Sequence, residues 1–387
     1  MVVGYRGSLG VGIGLSLMLG IASPPLYAAR PAQERSWPAL QSPLGRDPYV
    51  VIAPQFEKAR AFSEGLAAVR QGGKWGFIDS QGTWVIAAQY DQALDFQEGL
   101  AAVSLNGVWG FVRRDGTWGI PAQYERVGSF SQGLAAIWIK NRAGFINTHG
   151  QVVIAPQYAA VGFFRQGRAA VLDRSQRWGF IDPKGQMIIS AQFDGVGHFS
   201  QDRAVVTLRG QRGYINLAGE PVVPPQYESA LAFSHGLGLV SQGGKWGFID
   251  RNGTVVIPLL YDQAFAFAEG LAAVERDGRS FYLNTQGIPV LDSPLNLGAG
   301  AALNFSNQLA PVGILGSHER WGYMDRNGTL VIPPQFTRVT FFSEGRAAVA
   351  VGERWGYVSR FIPSQPPPPS LPLVEAPTHP TNTRLTH

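Results

Sequence analysis

A six-residue string, Lys245-Trp246-Gly247-Phe248-Ile249-Asp250, recurs along this chain often enough to dictate its architecture. Trp-Gly pairs stand at Trp75, Trp109, Trp178, Trp246, Trp321 and Trp355, separated by 34, 69, 68, 75 and 34 residues. Worn copies fill the doubled gaps: Ala143-Gly144-Phe145-Ile146-Asn147, Arg212-Gly213-Tyr214-Ile215-Asn216 and Arg279-Ser280-Phe281-Tyr282-Leu283-Asn284. A second marker, a Phe-Ser-Glu-Gly corner, starts at Phe62, Phe96, Phe130, Phe164, Phe199, Phe233, Phe267, Phe305 and Phe342. Its spacing is 34 or 35 residues as far as Phe267, then 38 and 37, which places an insertion near 291–303. A chain with a fixed period grows by adding units, so its 387 residues do not count domains.

Within one unit the pattern is that of short strands. Leu100-Ala101-Ala102-Val103, the turn Asn106-Gly107 and Val108-Trp109-Gly110-Phe111-Val112 form a hairpin signature. Asp115-Gly116 then turns the chain into a third strand ending at Tyr124. Each unit reads as a three-stranded antiparallel meander with a short fourth segment before the next corner Phe. The second turn recurs as Asp79-Ser80-Gln81-Gly82, Asp182-Pro183-Lys184-Gly185, Asp250-Arg251-Asn252-Gly253 and Asp325-Arg326-Asn327-Gly328. Asp at the first position accepts bonds from backbone donors two residues on, and Gly at the fourth turns with positive φ. Each turn carries one carboxylate without Asp-x-Asp-x-Asp spacing, which speaks against calcium.

In the Trp-Gly strand, Trp246 and Phe248 point one way and Gly247 and Ile249 the other. The glycine leaves room for a neighbouring backbone. The Trp rings share a face with Phe or Tyr and are expected in the core. Trp84, Trp118 and Trp138 lie off the repeat position and are the candidates for surface rings. The strand Thr254-Val255-Val256-Ile257 is apolar on both faces and is expected to be covered on both.

Taken together, Lys74-Trp75-Gly76-Phe77-Ile78-Asp79, Gly82, Val85-Ile86, Gln89-Tyr90 and Phe96-x-Glu98-Gly99-Leu100-Ala101-x-Val103 resemble the WG (KWG) repeat family of mostly bacterial proteins. The resemblance covers 49–358 and implies a tandem β array with no shared catalytic motif. The copies at Ala143, Arg212 and Ser280 depart from it.

The expected fold is all-β: about nine antiparallel β-meander units of ~34 residues in an open, curved, solenoid-like stack. The alternative is a closed β-propeller, the first strand completing the last blade. The open stack is preferred because propeller blades usually need ~40–45 residues and number 4–8.

Around the array, residues 1–28 read as a signal peptide. Arg6 precedes an apolar run over 11–22, and cleavage is expected after Ala28. An uncleaved anchor is the rival, but the run is short of the ~20 residues that span a bilayer. Residues 29–47 form a linker, 48–359 the array, and 360–387 a Pro-rich disordered tail. The chain is therefore expected to be exported, periplasmic, envelope-bound or extracellular, with no membrane span after cleavage. It has no cysteine, which excludes disulfides and thiolate chemistry. Its formal charge of +5 is interspersed, so no nucleic-acid partner is expected.

No catalytic, cofactor-binding or metal-ligating residue emerges. His149, His198, His235 and His318 fall in different units, and His379 and His387 in the tail, without metal spacing. Glu64, Glu98, Glu269 and Glu344 share one corner position that elsewhere holds Gln132, Gln166, Gln201, His235 and Asn307. Glycosidases need two carboxyls in unlike environments, so a solvated or capping role is expected. The function expected is a non-catalytic scaffold for protein–protein interaction; the alternative is a cell-wall or polysaccharide binder using exposed aromatics. A hydrolase is a distant third, and the oligomeric state is open.

Overall fold

The computed structural model describes residues 48–292, 303–314 and 320–360, in which strands, turns and bends occur and helices do not. The expected signal segment, most of the linker, most of the insertion and the tail beyond Arg360 lie outside the described residues. The strands form eight four-stranded sheets and one three-stranded sheet. Blade two shows the plan: Gln92–Ala93, Leu100–Leu105, Val108–Arg113 and Trp118–Tyr124 pair in sequence order, all antiparallel. The short segment anticipated before the corner Phe is thus a true first strand.

The array is closed. Blade nine takes three strands from the end of the array, Arg338–Val339, Arg346–Val351 and Arg354–Ser359, and its fourth, Val50–Phe56, from the beginning. The open stack is therefore wrong and the propeller alternative right. Four strands fit into 34 residues because two connections are minimal. A single residue, such as Asp91, joins Tyr90 of one blade to Gln92 of the next. The corner is a two-residue turn in which Glu98 (φ 55°) and Gly99 (φ 80°) both lie in the left-handed region, as type I′ requires.

Packing between blades repeats around the ring. The third-strand aromatic of each blade meets the corner Phe of the next, as in Phe77–Phe96 (4.9 Å between centroids) and Phe248–Phe267 (4.8 Å). Tyr357–Phe62 completes the circle at 4.9 Å. Such pairs contribute ~0.5–1.5 kcal/mol each beyond area burial. Nine apolar clusters fill the nine seams, one per pair of neighbouring blades. Where the third-strand ring is Tyr, its hydroxyl donates across the seam: Tyr357 to Arg60 O, Tyr214 to Leu231 O, and Tyr323 to Thr340 O, each 2.8 Å. Burial pushes the Tyr214, Tyr282, Tyr323 and Tyr357 hydroxyls well above the usual phenol range.

The strand glycine behaves as its sequence position suggests. A Cβ on Gly76 would sit 2.5 Å from Ile86 O, because the fourth strand crosses directly over it. That crossing is a bulge: Tyr90 pairs with Trp75 and Ile86 with Phe77, four residues opposing two. Blade seven has Phe281 in the glycine's place; Tyr282–Leu291 and Leu283–Pro289 keep the common register, but Phe281 itself pairs with Asp292 where the other blades bulge over glycine.

Two expectations about burial fail. The fourth strand is not covered on both faces: Val152 is 53% and Val255 47% exposed, whereas Ile154 and Ile257 are buried. It is the free edge of its sheet, and Pro54, Pro121 and Pro156 interrupt it, as suits an edge. The repeat Trp rings are half-buried at the rims of the seam clusters rather than fully inside.

Candidate functional site

The ring presents two ends and an axis. At one end lie the corners and the Asp-x-x-Gly turns; at the other lie the second-to-third-strand hairpins. Equivalent corner atoms in adjacent blades are within hydrogen-bonding distance, which is possible only near the axis, where blades of a ring converge. The Ser63 hydroxyl donates to Phe96 O (2.7 Å), Ser131 to Phe164 O (2.8 Å) and Ser343 to Phe62 O (2.8 Å).

Every corner residue anticipated as a repeated carboxylate or its substitute has positive φ, from 49° at Gln166 to 55° at Glu98 and Gln132. Such backbone is costly for a residue with a side chain. Its side chain caps the next corner. Gly99 N–H donates to Glu64 (2.9 Å), Gly133 to Glu98 (2.9 Å), Gly167 to Gln132 (2.9 Å) and Gly236 to Gln201 (2.9 Å). Glu344 closes the relay by accepting from Glu64 N (2.7 Å) and Gly65 N (2.8 Å). These carboxylates are therefore frame elements, each capping the corner of a neighbouring blade. His235 breaks the pattern and bonds its own neighbour, Ser234 Oγ, at 2.9 Å.

At two seams the residue before the corner Phe meets its counterpart in the adjacent blade: Asn304 donates to Ala266 O (2.7 Å), and the Phe163 and His198 rings lie 5.4 Å apart. Asp95, at the same position, instead receives Nε of Arg60, the neighbour of its counterpart Ala61 (2.7 Å). Around the axis these positions read Ala61, Asp95, Ser129, Phe163, His198, Ala232, Ala266, Asn304 and Phe341, so the frame repeats while the display does not. Phe163 and Phe341 are each 46% exposed. Burial, aided by the nearby Arg165 charge, holds the His198 imidazole below its usual range.

At the hairpin end a second relay joins the blades. The acid between fourth and first strands caps the hairpin of its own blade: Glu125 accepts from Lys140 N (2.8 Å) and Asp262 from Asp277 N (2.9 Å). Three of these acids also pair with a cation at the start of the preceding blade's third strand. Lys74 holds Asp91 at 2.5 Å, Arg177 holds Asp194 and Lys245 holds Asp262. Those bonds pull the Asp91 and Asp262 carboxyls below the usual range, chiefly through the lysine.

The remaining sequence candidates disperse. His149 sits in a turn at the corner end, and His318 lies outside the described residues. Among the described residues no group of three His, Cys, Asp or Glu is placed to hold a metal ion, and no helix is long and apolar enough to cross a membrane. Trp84 is 37% exposed but meets Phe56 edge-on at 5.9 Å. Trp118 leans on Tyr90, and Trp138 packs into the seam beside Ala143, where the repeat Trp is missing. The three therefore do not form an exposed row. Sequence reasoning missed the gathering of scattered cations at one end of the ring. Lys140, Arg142, Arg174, Arg209 and Arg212 look interspersed along the chain, yet the blade period stacks them on three adjacent hairpins.

Comparison with known proteins agrees with this architecture. The profile of the family described as WG containing repeat matches residues 50–75, 75–109, 109–140, 144–173, 178–211, 213–246, 246–279 and 321–355. No curated protein matches the chain in sequence. Among solved structures, one described as the eukaryotic initiation factor is similar at a TM-score of 0.53 and 12% identity, covering 81% of this chain and 93% of that one. BamB from Moraxella catarrhalis gives a TM-score of 0.41 at 11% identity, covering 80% and 100%. The C-terminal WD40 domain of Sif2 gives 0.39 at 13% identity, covering 68% and 93%. At 12% identity the likeness to the first concerns the fold alone.

Proposed function

The chain belongs to the WG-containing-repeat family, and from that premise we propose that it is a non-catalytic ring scaffold that binds another protein. One observation supports this reading most. The repeated polar groups are engaged in holding blades together, while the exposed residues at equivalent places differ from blade to blade. A constant frame with a varied surface is the property of a binding platform. The signal-like pattern of residues 1–28 supports the further reading that the scaffold works in the cell envelope or outside the cell. A polysaccharide ligand has less support, because the exposed aromatics are dispersed rather than aligned.

Residues 29–387, immobilised and exposed to envelope extract, are expected to retain a discrete protein that in turn captures the ring when the two roles are exchanged. Retention of insoluble wall material alone contradicts the scaffold reading. Quenching of tryptophan fluorescence by soluble glycans favours the polysaccharide reading instead.

A further inference from the structure

The ion pairs at the hairpin end follow a rule of position. A cation at the start of a third strand meets an acid 17 residues later, as in Lys74–Asp91, Arg177–Asp194 and Lys245–Asp262. Arg142 occupies the same place in blade three, opposite Ile139 as Lys74 is opposite Gln71. Seventeen residues on stands Ala159. Its backbone is where the acids' backbones are: Ala159 N donates to Leu172 O (3.0 Å), as Asp91 N does to Ser104 O (2.9 Å) and Asp262 N to Glu275 O (2.8 Å). The geometry of an ion pair is kept at this seam and its carboxylate is missing.

No described carboxylate forms an ion pair with Arg142 in its stead. Asp173, on the facing hairpin of blade four, accepts from Ser175 N (2.8 Å), Ser175 Oγ (2.6 Å) and Arg177 N (3.1 Å). Arg142 is exposed and forms no ion pair with a described carboxylate. Where the acid is also absent before blade nine, Thr337 bonds Ala350 O and Gly352 O, so its own blade uses that place. Lys140 beside Arg142, Arg174 on blade four, and Arg209 and Arg212 on blade five extend the positive surface, none in an ion pair with a described carboxylate.

We propose that the seam between blades three and four, at Arg142 and Ala159, receives an aspartate or glutamate side chain from an acidic segment of a partner protein. The carboxylate completes from outside the pair that the chain supplies for itself at three other seams. Lys140 and Arg174 flank it and draw further acidic residues of the same segment along adjacent hairpins. A carboxylate is favoured over a phosphate because the place is shaped around Asp in its sister seams. This assignment rests on the scaffold reading above and names the chemistry of its partner.

The test uses residues 29–387 and a labelled peptide alternating Asp and Ser, followed by fluorescence anisotropy at low and physiological salt. Binding is expected, weakening with salt, and absent for the matching Asn/Ser peptide. Ala159→Asp restores the missing acid and should weaken peptide binding by up to about fivefold, the worth of one favourable exposed ion pair. Arg142→Gln should do the same, so the test survives a folding failure in either variant. Lys184→Gln removes equal charge from the corner end and should leave binding unchanged. Equal losses in all three variants, no loss in the first two, or equal binding of the Asn/Ser peptide would overturn the proposal. So would polyphosphate binding that is lost in Ala159→Asp while the acidic peptide stays unbound. If the envelope partner is retained equally by Ala159→Asp and wild type, this site falls and the scaffold reading stands. If the peptide is held here but no envelope protein is captured, the scaffold reading falls.

Discussion

Blade one and blade nine have the same geometry and different covalent histories. In blade one the turn Asp79-Ser80-Gln81-Gly82 joins the third strand to the fourth, with Asp79 Oδ1 accepting from Gln81 N and Thr83 N at 2.9 Å. In blade nine the same two strands come from opposite ends of the array. The pairing is nevertheless equivalent: Ile52 faces Tyr357 and Phe56 faces Trp355, as Ile86 faces Phe77 and Tyr90 faces Trp75. Ser359 N donates to Tyr49 O (2.8 Å) where Asp79 N donates to Thr83 O (2.9 Å). The turn therefore does not create the blade's shape; the side-chain seams do. Closing a ~300-residue loop costs roughly 4 kcal/mol more than closing a tight turn when the chain between is unstructured. Eight stacked blades remove most of that difference by bringing the two ends together.

The comparison is open to breakage, most severely through the seam rings. Phe77→Ala and Tyr357→Ala should each cost about 3–5 kcal/mol in urea unfolding. Tyr357→Ala should in addition free the strand Val50–Phe56 to limited proteolysis, whereas Phe77→Ala should not expose Trp84–Tyr90 while the ring stays folded. Equal protection of both strands would mean that the missing turn has no consequence.

Smaller effects sharpen the contrast. A Cβ on Gly356 would lie 2.3 Å from Ile52 O, and on Gly76 2.5 Å from Ile86 O. Either Gly→Ala change forces the fourth strand outward and should cost about 1–3 kcal/mol. The untethered strand of blade nine should detach sooner, read as faster amide exchange at Ile52 than at Ile86. Ser343→Ala and Ser131→Ala each delete one cross-seam bond and should cost about 0.5–1.5 kcal/mol alike, which calorimetry can compare.

At the corner that breaks the relay, His235→Gln should raise stability by about 0.5–1 kcal/mol if the new amide caps Gly270 N as Gln201 caps Gly236 N. The smallest contrast is alkaline. The folded pKa of Tyr357 is raised by burial, so its contribution is complete below the unfolded value of about 10 and lost as pH rises above it. Tyr357→Phe should flatten the loss of stability above about pH 10, while at blade one, where Phe77 occupies that place, there is nothing to flatten.

Much of this frame was legible as sequence because local chemistry enforces it. The period, the Asp-x-x-Gly turn, the strand glycine and the capping role of the corner carboxylates all follow from single-unit reasoning. Closure did not, since a 34-residue unit matches a stack or a ring until Glu57, Asp91 and their counterparts are seen to join blades in a single step. Val255 and Val256 read as doubly covered, yet their strand is a sheet edge, and no pattern within one strand reveals which neighbour is absent. The Ala159 vacancy is visible only once Arg142 is aligned with Lys74 and Arg177, a comparison between units rather than within one.

The closed ring itself can be tested in a chain that has no cysteine of its own. Val50 and Val358 are direct cross-strand partners in blade nine, at a separation that a disulfide can bridge. Val50→Cys combined with Val358→Cys should form an intramolecular disulfide under mild oxidation, giving a faster-migrating monomer on a non-reducing gel. Thiols that stay free, or that link only different molecules, would contradict closure and restore the open array.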